Sequence, residues 1–105
     1  MDEVTDETFA AEVLAFPEPV IVDFWAPRCK PCDAIEPHLC AIAEERGVRL
    51  VKLNVDTSLA VPSRYGVLAL PTVILFASGE PRATVYGAHS RDHFERAFSE
   101  FLDHL

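Results

Sequence analysis

The sequence predicts an α/β fold of three layers, α/β/α, in which helices cover both faces of a central mixed β-sheet. Its segments alternate as helix, strand, helix, strand, helix, strand, strand and helix. The first half contains a β-α-β unit, which implies parallel strands joined by a right-handed crossover. The last third contains a hairpin, which adds antiparallel strands. No repeat or linker interrupts the sequence, so we expect one domain, residues 1–105.

The first two elements are a helix and a buried strand. Thr5–Ala15 predicts a helix, because its first residue is a suitable N-cap and Phe9, Val13 and Leu14 share one face. Val20–Trp25 is a run of β-branched and aromatic residues. Such a run is typical of a strand that is buried on both faces.

The middle of the chain predicts two helices around a second buried strand. The first helix follows a cysteine pair and ends near Gly47, and Pro37 within it is expected to kink it. Leu50–Val55 is typical of a buried strand, and Ser58–Tyr65 of a short helix interrupted at Pro62. The apolar stripe of the first helix consists of Ile35, Leu39, Ile42 and Ala43.

The last third predicts a hairpin and a closing helix. Strands Thr72–Phe76 and Ala83–Tyr86 flank a turn at Ser78–Pro81. Ser90 is a suitable N-cap for the helix that follows. The apolar stripe of this helix consists of Phe94, Phe98, Phe101 and Leu105.

The composition disfavours several kinds of partner. Nine Lys and Arg residues oppose 17 Asp and Glu, which gives a net charge of −8. An acidic surface argues against binding to nucleic acid or to an anionic membrane. No apolar run approaches the ~18–20 residues that span a bilayer, and the acidic N-terminus does not resemble a signal peptide. We therefore expect a cytoplasmic monomer.

A cysteine pair lies where the first buried strand meets the following helix. Cys29 and Cys32 are three positions apart, so their sulfurs can bond across the first helical turn. A helix N-terminus supplies partial positive charge and free N–H groups, which favour a thiolate. Pro31 suits the first turn, where its missing N–H costs nothing. The pattern makes Cys29 the candidate nucleophile and Cys32 the resolving thiol of a redox pair.

The same cysteine spacing occurs in zinc sites, so a metal site is the alternative interpretation. Its nominal ligands would be Cys29, Cys32, His38 and Cys40. All but the first would lie on one helix, where Cys40 is rotated from Cys32 by about 80°. This geometry disfavours a metal site, and we expect neither a metal nor an organic cofactor. Because Cys40 lies off the apolar stripe, we expect a partly exposed free thiol there.

Several segments along the chain together form a specific pattern. They are Val22–Ala26, Cys-x-Pro-Cys, Pro37, Lys52–Asp56, Leu70–Thr72, Gly79 and Gly87. In the order and spacing of these segments, the sequence resembles the thioredoxin family over nearly its whole length. The resemblance implies the thioredoxin fold and a thiol–disulfide oxidoreductase that reduces protein disulfides. It also implies two kinds of partner, protein disulfide substrates and a disulfide reductase, and a role in electron transport for cell redox homeostasis.

Two ionisable residues of these segments are candidates for proton transfer. Asp23 lies among apolar neighbours in a strand, where burial should raise the pKa of its carboxyl group. On the residues alone, a structural Asp and a functional one are equal alternatives. The resemblance favours the functional one, since the matching family Asp accepts, through water, the proton of the resolving cysteine. Lys52 matches the lysine beside that carboxylate.

Four further residues are candidates for the substrate-binding surface. Pro71 matches a cis-proline that packs beside the cysteines, and the backbone of Leu70 matches a group that pairs with an extended substrate. Trp25 matches an aromatic residue that supports the active-site loop. Gly87 matches a glycine that borders the substrate groove.

Three positions beside the cysteines depart from the family pattern. Arg28, Lys30 and Asp33 stand where the family has tryptophan, glycine and lysine. Two cations beside Cys29 should stabilise its thiolate and make the couple more oxidising, although Asp33 opposes this effect. Together with Pro31, both cations are candidates for substrate contact, and their change puts recognition by a standard thioredoxin reductase in question.

Three functions are therefore compared. The first is a general protein-disulfide reductase. The second is a dedicated, more oxidising oxidoreductase or isomerase with its own reductase. The third is a non-catalytic binding module, which would need none of Cys29, Cys32, Asp23 and Pro71. The presence of all four residues disfavours the third.

Overall fold

The protein is described by a computed structural model that covers residues 1–103. Its strands are β1 (Asp2–Val4), β2 (Val20–Trp25), β3 (Arg49–Asn54), β4 (Thr72–Ala77) and β5 (Glu80–Tyr86). They form one sheet in the order β1-β3-β2-β4-β5. The first three strands are mutually parallel where they pair, whereas β4 is antiparallel to both β2 and β5. The predicted mixed sheet is confirmed.

Within residues 1–103, three α-helices and one π-helical segment accompany the sheet. The helices are α1 (Lys30–Arg46), α2 (Ala60–Arg64) and α3 (Arg91–Leu102), and the π-helical segment is Ala10–Leu14. No helix within the described residues is both long and apolar enough to cross a membrane.

Each face of the sheet has its own core, because side chains alternate along β2. Val20, Val22 and Phe24 belong to a cluster with Phe9 and Val13 of the N-terminal segment. The intervening positions point to the opposite face. There Ile21 packs in a second cluster, to which α1 contributes Ile35, Leu39 and Ile42 and α3 contributes Phe94, Phe98 and Leu102. Asp23 shares the face of Ile21 and therefore points toward the layer that contains α1.

The N-terminal segment differs from its prediction. A turn precedes the π-helical segment, and the Thr5 carbonyl oxygen, rather than its side chain, accepts from the N–H of Phe9 at 2.9 Å. The side chain of Asp6 binds the start of α2. Its carboxylate accepts hydrogen bonds from the N–H groups of Ala60 and Val61 at 3.0 and 2.9 Å, which lowers the pKa of Asp6. The strand β1 was not predicted.

The hairpin has a shorter turn than the sequence indicated. Ser78 and Gly79 both have left-handed backbones, with φ of 56° and 78°, so two residues suffice to reverse the chain. As a result Pro81 lies within β5 rather than in the turn. This position is tolerated because β5 is an edge strand. The predicted strand β3 also begins and ends one residue earlier than expected.

Helices α1 and α3 follow their predictions closely. Pro37 lies inside α1, and its kink stays a prediction. In α3, the Ser90 hydroxyl accepts from the N–H of His93 at 3.2 Å, which confirms the N-cap. Phe101 of the predicted stripe is half-buried, and Leu105 lies outside the described residues.

Gly47 ends α1 in the left-handed conformation, with φ of 66°, and its N–H donates to the Ala43 carbonyl. A Cβ built there would have no neighbour within 4 Å, so a substitution costs backbone strain alone. We expect Gly47→Ala to lower the free energy of unfolding in urea by about 1 kcal/mol. Gly47→Asn is the matched control, and it should lose less because Asn tolerates this conformation. Equal losses in the two variants would contradict the explanation.

Candidate active site

The predicted cysteine pair is a disulfide at the junction of β2 and α1. Cys29 and Cys32 are bonded, with their Cα atoms 5.3 Å apart. Both are largely buried, at 7% and 3% exposure, and Cys29 is the more accessible of the two. Ala26 packs with them, and Trp25 and Leu70 lie against this cluster. The structure thus brings together four of the predicted site residues around one bond.

The sulfur of Cys29 is the N-cap of α1. It accepts a hydrogen bond from the N–H of Cys32 at 3.2 Å. This contact places the sulfur at the positive end of the helix dipole, where a negative charge is stabilised. Pro31 occupies the first turn, as predicted. In the reduced protein, the same position favours the thiolate of Cys29 over its thiol.

A second loop forms the opposite wall of the site. The Leu70–Pro71 peptide bond is cis, as the resemblance implies. The carbonyl oxygen of Pro71 accepts from the N–H of Gly87 at 2.8 Å, which ties this loop to the end of β5. Leu70 is half-buried against the cysteine cluster.

An open groove of about 600 Å³ adjoins the disulfide on the side of this loop. Beside it, Leu59 and Leu68 are 69% and 96% exposed, an unusual state for large apolar side chains. The groove is lined by Arg28, Cys29, Val55, Leu59, Pro62, Ser63, Val67, Leu68, Ala69 and Leu70. Its form suits an extended chain with apolar side chains near a sulfur.

Asp23 lies on β2, the strand that precedes the disulfide, and is 2% exposed. Its Oδ1 atom has no hydrogen-bond partner within the described protein. Burial and, to a smaller extent, the negative charge of Glu36 raise the pKa of Asp23, and the positive charge of Lys52 lowers it; the result is a pKa of about 7. A carboxyl group with such a pKa can take up and release a proton near neutral pH.

Lys52 and Trp25 adjoin this carboxyl group. Lys52 is the register partner of Asp23 across the parallel β2–β3 pair, so both side chains point to the same face. Yet no ion pair joins Lys52 to Asp23 within residues 1–103. The Lys52 ammonium instead lies 4.5 Å from the centre of the Trp25 ring, a cation–π contact.

The two unusual cations beside the pair have different surroundings. Arg28 donates to the Asp56 carboxylate at 3.0 Å, and both side chains are well exposed. Lys30 and Asp33 are also exposed, and neither forms an ion pair within the described part of the chain. The two cations therefore do not act on Cys29 equally, since the charge of Arg28 is partly compensated.

Cys40, a nominal ligand of the alternative metal site, is exposed and free, as expected. Within the described residues, no cluster of three or more His, Cys, Asp or Glu side chains could hold a metal ion. The proposed zinc ligands Cys29 and Cys32 are occupied with each other in the disulfide.

The sequence analysis missed two acidic residues of this site. Asp56 follows β3, whose end lies beside the end of β2 in a parallel pair, and that topology could have placed it near Arg28. Glu36 lies four positions after Cys32, and this spacing puts two helical residues on one face. Neither the position of Asp56 after β3 nor the spacing of Glu36 from Cys32 identifies a site residue unless the fold is known.

Comparison with known proteins agrees with this geometry. The family model described as Thioredoxin matches residues 1–100. A protein named thioredoxin from Porphyra purpurea is 38% identical over 104 residues, which cover 97% of each chain. One from Streptomyces clavuligerus is 46% identical over 89 residues, covering 84% of this chain and 83% of its own. A chloroplastic M-type thioredoxin from Brassica napus is 40% identical over 101 residues, covering 94% of this chain and 57% of its own.

The raised pKa of Asp23 makes stability depend on pH. The folded protein retains this proton up to about pH 7, whereas the ordinary pKa of an Asp carboxyl group is 3.8. Between these values the folded state binds more protons, so stability falls as pH rises through this window. We expect Asp23→Asn to remove this decline and to raise the free energy of unfolding at pH 8 by up to about 4 kcal/mol.

Urea unfolding at pH 5 and pH 8 measures this effect. Asp33→Asn, which removes an exposed carboxylate of α1, is the matched control and should show the same pH dependence as the parent protein. The explanation is wrong if Asp23→Asn and the parent lose equal stability between the two pH values.

Proposed function

The chain belongs to the thioredoxin family, and from this membership we propose that it reduces protein disulfides with Cys29 as nucleophile and Cys32 as resolving thiol. As a member it is a thiol–disulfide oxidoreductase, whose partners are disulfide substrates and a reductase that restores its dithiol form. The Cys29–Cys32 disulfide, at the N-terminus of α1 beside an open groove, is the observation that carries this function.

The first step needs a thiolate on the accessible sulfur. In the dithiol form, Cys29 attacks a substrate disulfide, forms a mixed disulfide and releases one substrate thiolate. The N–H of Cys32, which donates to Cys29 in the oxidised form, supports this assignment because it would stabilise the attacking thiolate. The lower exposure of Cys32 supports its role as the second, resolving thiol.

The second step needs a base for Cys32. Cys32 attacks Cys29, the mixed disulfide breaks, and the electron pair leaves with the second substrate sulfur. We assign the proton of Cys32 to Asp23, transferred through water. The burial of Asp23 and its pKa of about 7 support the assignment, since a more basic carboxylate is a better acceptor for a thiol proton. The positive charge of Lys52 lowers the pKa of this carboxyl group.

The substrate lies in the groove next to the cysteines. The backbone of Leu70 pairs with an extended segment of the substrate, in the manner of an added strand. Pro71, Gly87 and Trp25 shape the surface around the sulfur, and Pro31 contributes beside Cys29. The exposed apolar side chains along the groove support a polypeptide substrate rather than a small polar molecule.

The cellular setting is part of the same proposal. We assign the protein to the cytoplasm, where it transfers electrons as a monomeric domain, residues 1–105, in redox homeostasis. An exposed free thiol at Cys40 supports a reducing compartment, because such a thiol would pair or oxidise elsewhere. Arg28 and Lys30 would contact the substrate and the reductase, and they determine whether a standard reductase binds.

Insulin reduction tests the function and the reductase together. The assay is driven by dithiothreitol and, separately, by NADPH with thioredoxin reductase. Turnover with dithiothreitol is expected and supports a protein-disulfide reductase. Added turnover with the enzyme reductant supports recognition by a standard reductase. Absence of turnover with both would contradict the proposed function.

Variants of the three cysteines separate their roles. Cys29→Ser should abolish insulin reduction, because no other thiol occupies the helix N-cap. Cys32→Ser should also lose turnover but accumulate a mixed disulfide between Cys29 and the substrate, detectable by mass spectrometry. Cys40→Ser is the matched control and should retain parent activity. A trapped adduct on Cys40, or full activity of Cys29→Ser, would contradict the assignment.

The two flanking cations should differ in their effect on Cys29. Lys30→Gln is expected to lower the thiolate fraction of Cys29 near neutral pH by roughly twofold, the scale of one exposed charge interaction. Arg28→Gln should have a smaller effect, because Asp56 already compensates Arg28. The ultraviolet absorbance of the thiolate measures both, with Cys29→Ser as the background. An equal or larger effect of Arg28→Gln would overturn this ranking.

A further inference from the structure

We propose that Glu36 is a positioning residue for proton transfer at Cys32, and that it acts through Asp23 from the next turn of α1. The inference rests on the proposed function, since it concerns how the base of the second step acquires its strength. Nothing in the sequence pattern assigns a role to Glu36, which lies outside the cysteine motif.

The first support is where the three side chains lie. Cys32 and Glu36 are four positions apart on α1, so they lie on one face of that helix. Asp23 points toward the same layer, because it alternates with residues that face the opposite core. Cys32 is buried and Glu36 is half-buried. All three groups therefore lie on the α1 side of the sheet, and burial decreases from Asp23 and Cys32 to Glu36.

The second support is the lack of compensating groups around Asp23. On β3 its neighbour is Lys52, whose ammonium is held over the Trp25 ring. On β4 its neighbour is the apolar Val73. The buried residues that α3 contributes to this face are apolar: Phe94, Phe98 and Leu102. Two charged groups act on the pKa of Asp23: Glu36 of α1, which raises it, and Lys52, which lowers it.

The consequence is a carboxyl pair of unequal exposure. The negative charge of Glu36 raises the pKa of Asp23, and its effect ranks above the opposing effect of Lys52. Glu36 is closer to solvent than Asp23, and a negative charge nearby disfavours the ionised form of the buried carboxyl group. Glu36 thereby strengthens Asp23 as a base.

This effect acts on a defined step. As Cys32 attacks, a bond forms between Cys32 and Cys29, and the bond between Cys29 and the substrate sulfur breaks. The electron pair leaves with the substrate thiolate, and the Cys32 proton passes to Asp23. A nearby negative charge favours the protonated product on Asp23. When a reductase later opens the disulfide, the same proton can return to Cys32.

The test is a titration of Asp23 in the oxidised protein, in which Cys29 and Cys32 do not titrate. The carboxyl carbon of Asp23 is followed by NMR in protein labelled at Asp, and Asp23→Asn assigns the signal. In Glu36→Gln, the proton affinity of Asp23 should fall roughly threefold or more. Glu36→Asp keeps the charge and should recover much of the parent midpoint. Glu44→Gln, the same change at an exposed position two turns later, should leave it unchanged.

The pH profile of insulin reduction is the second readout. In Glu36→Gln the limb that reports the ionisation of Asp23 should move to lower pH together with the NMR midpoint, whereas Glu44→Gln should follow the parent protein. An unchanged Asp23 midpoint in Glu36→Gln, or an equal shift in Glu44→Gln, would overturn the role of Glu36. Either result leaves the reductase function standing if the parent reduces insulin, whereas an inactive parent would contradict that function directly.

Discussion

The hydrogen bond from the Cys32 N–H to the Cys29 sulfur joins the reactive atom to the helix on which the site depends. It exists because β2, buried across the middle of the sheet, ends where α1 begins. The rigid strand fixes the start of the helix, and the helix dipole stabilises negative charge on the sulfur. The loop at Leu70 and Pro71 and the open groove matter for function because they lie beside that sulfur.

Asp23, in the same strand, lowers the stability of the fold and is also the base of the proposed mechanism. An ionised carboxylate is costly in a buried strand, and this cost raises its pKa to about 7. The buried position thus weakens the fold at alkaline pH, and it also gives the carboxyl group that we propose as the base for Cys32 a pKa near neutrality. Functional sites commonly combine local destabilisation with altered proton affinity. In this protein the compromise lies in one side chain of the central strand.

The sequence predicts most of the fold where patterns are long and local. The buried strand at Val20–Trp25 and the helix after the cysteines have clear periodicity and caps, and both occur as expected. The strand Asp2–Val4 has three residues, two of them acidic, and forms only because it pairs with β3. A helix was predicted for Thr5–Ala15 and one occurs there, but its later start and its π-helical form were not predicted. The contact of Asp6 with α2, between residues more than 50 positions apart, was not predicted either.

At the site, too, features set by local spacing were predicted, and features set by tertiary contacts were missed. The cysteine pair could be predicted from its spacing in the sequence. The ion pair of Arg28 with Asp56 and the effect of Glu36 on the pKa of Asp23 could not, because both depend on tertiary neighbours.

The central claim is that the N-terminus of α1 stabilises the thiolate of Cys29. Its most direct test is alkylation of the reduced protein by iodoacetamide at pH 7, followed by peptide mass spectrometry. Cys29 should react first, because pH 7 is well below the ordinary thiol pKa of about 8.5 and only a stabilised thiolate reacts fast there. The exposed Cys40 serves as an internal standard. Reaction of Cys40 or Cys32 at the same rate as Cys29 would contradict it.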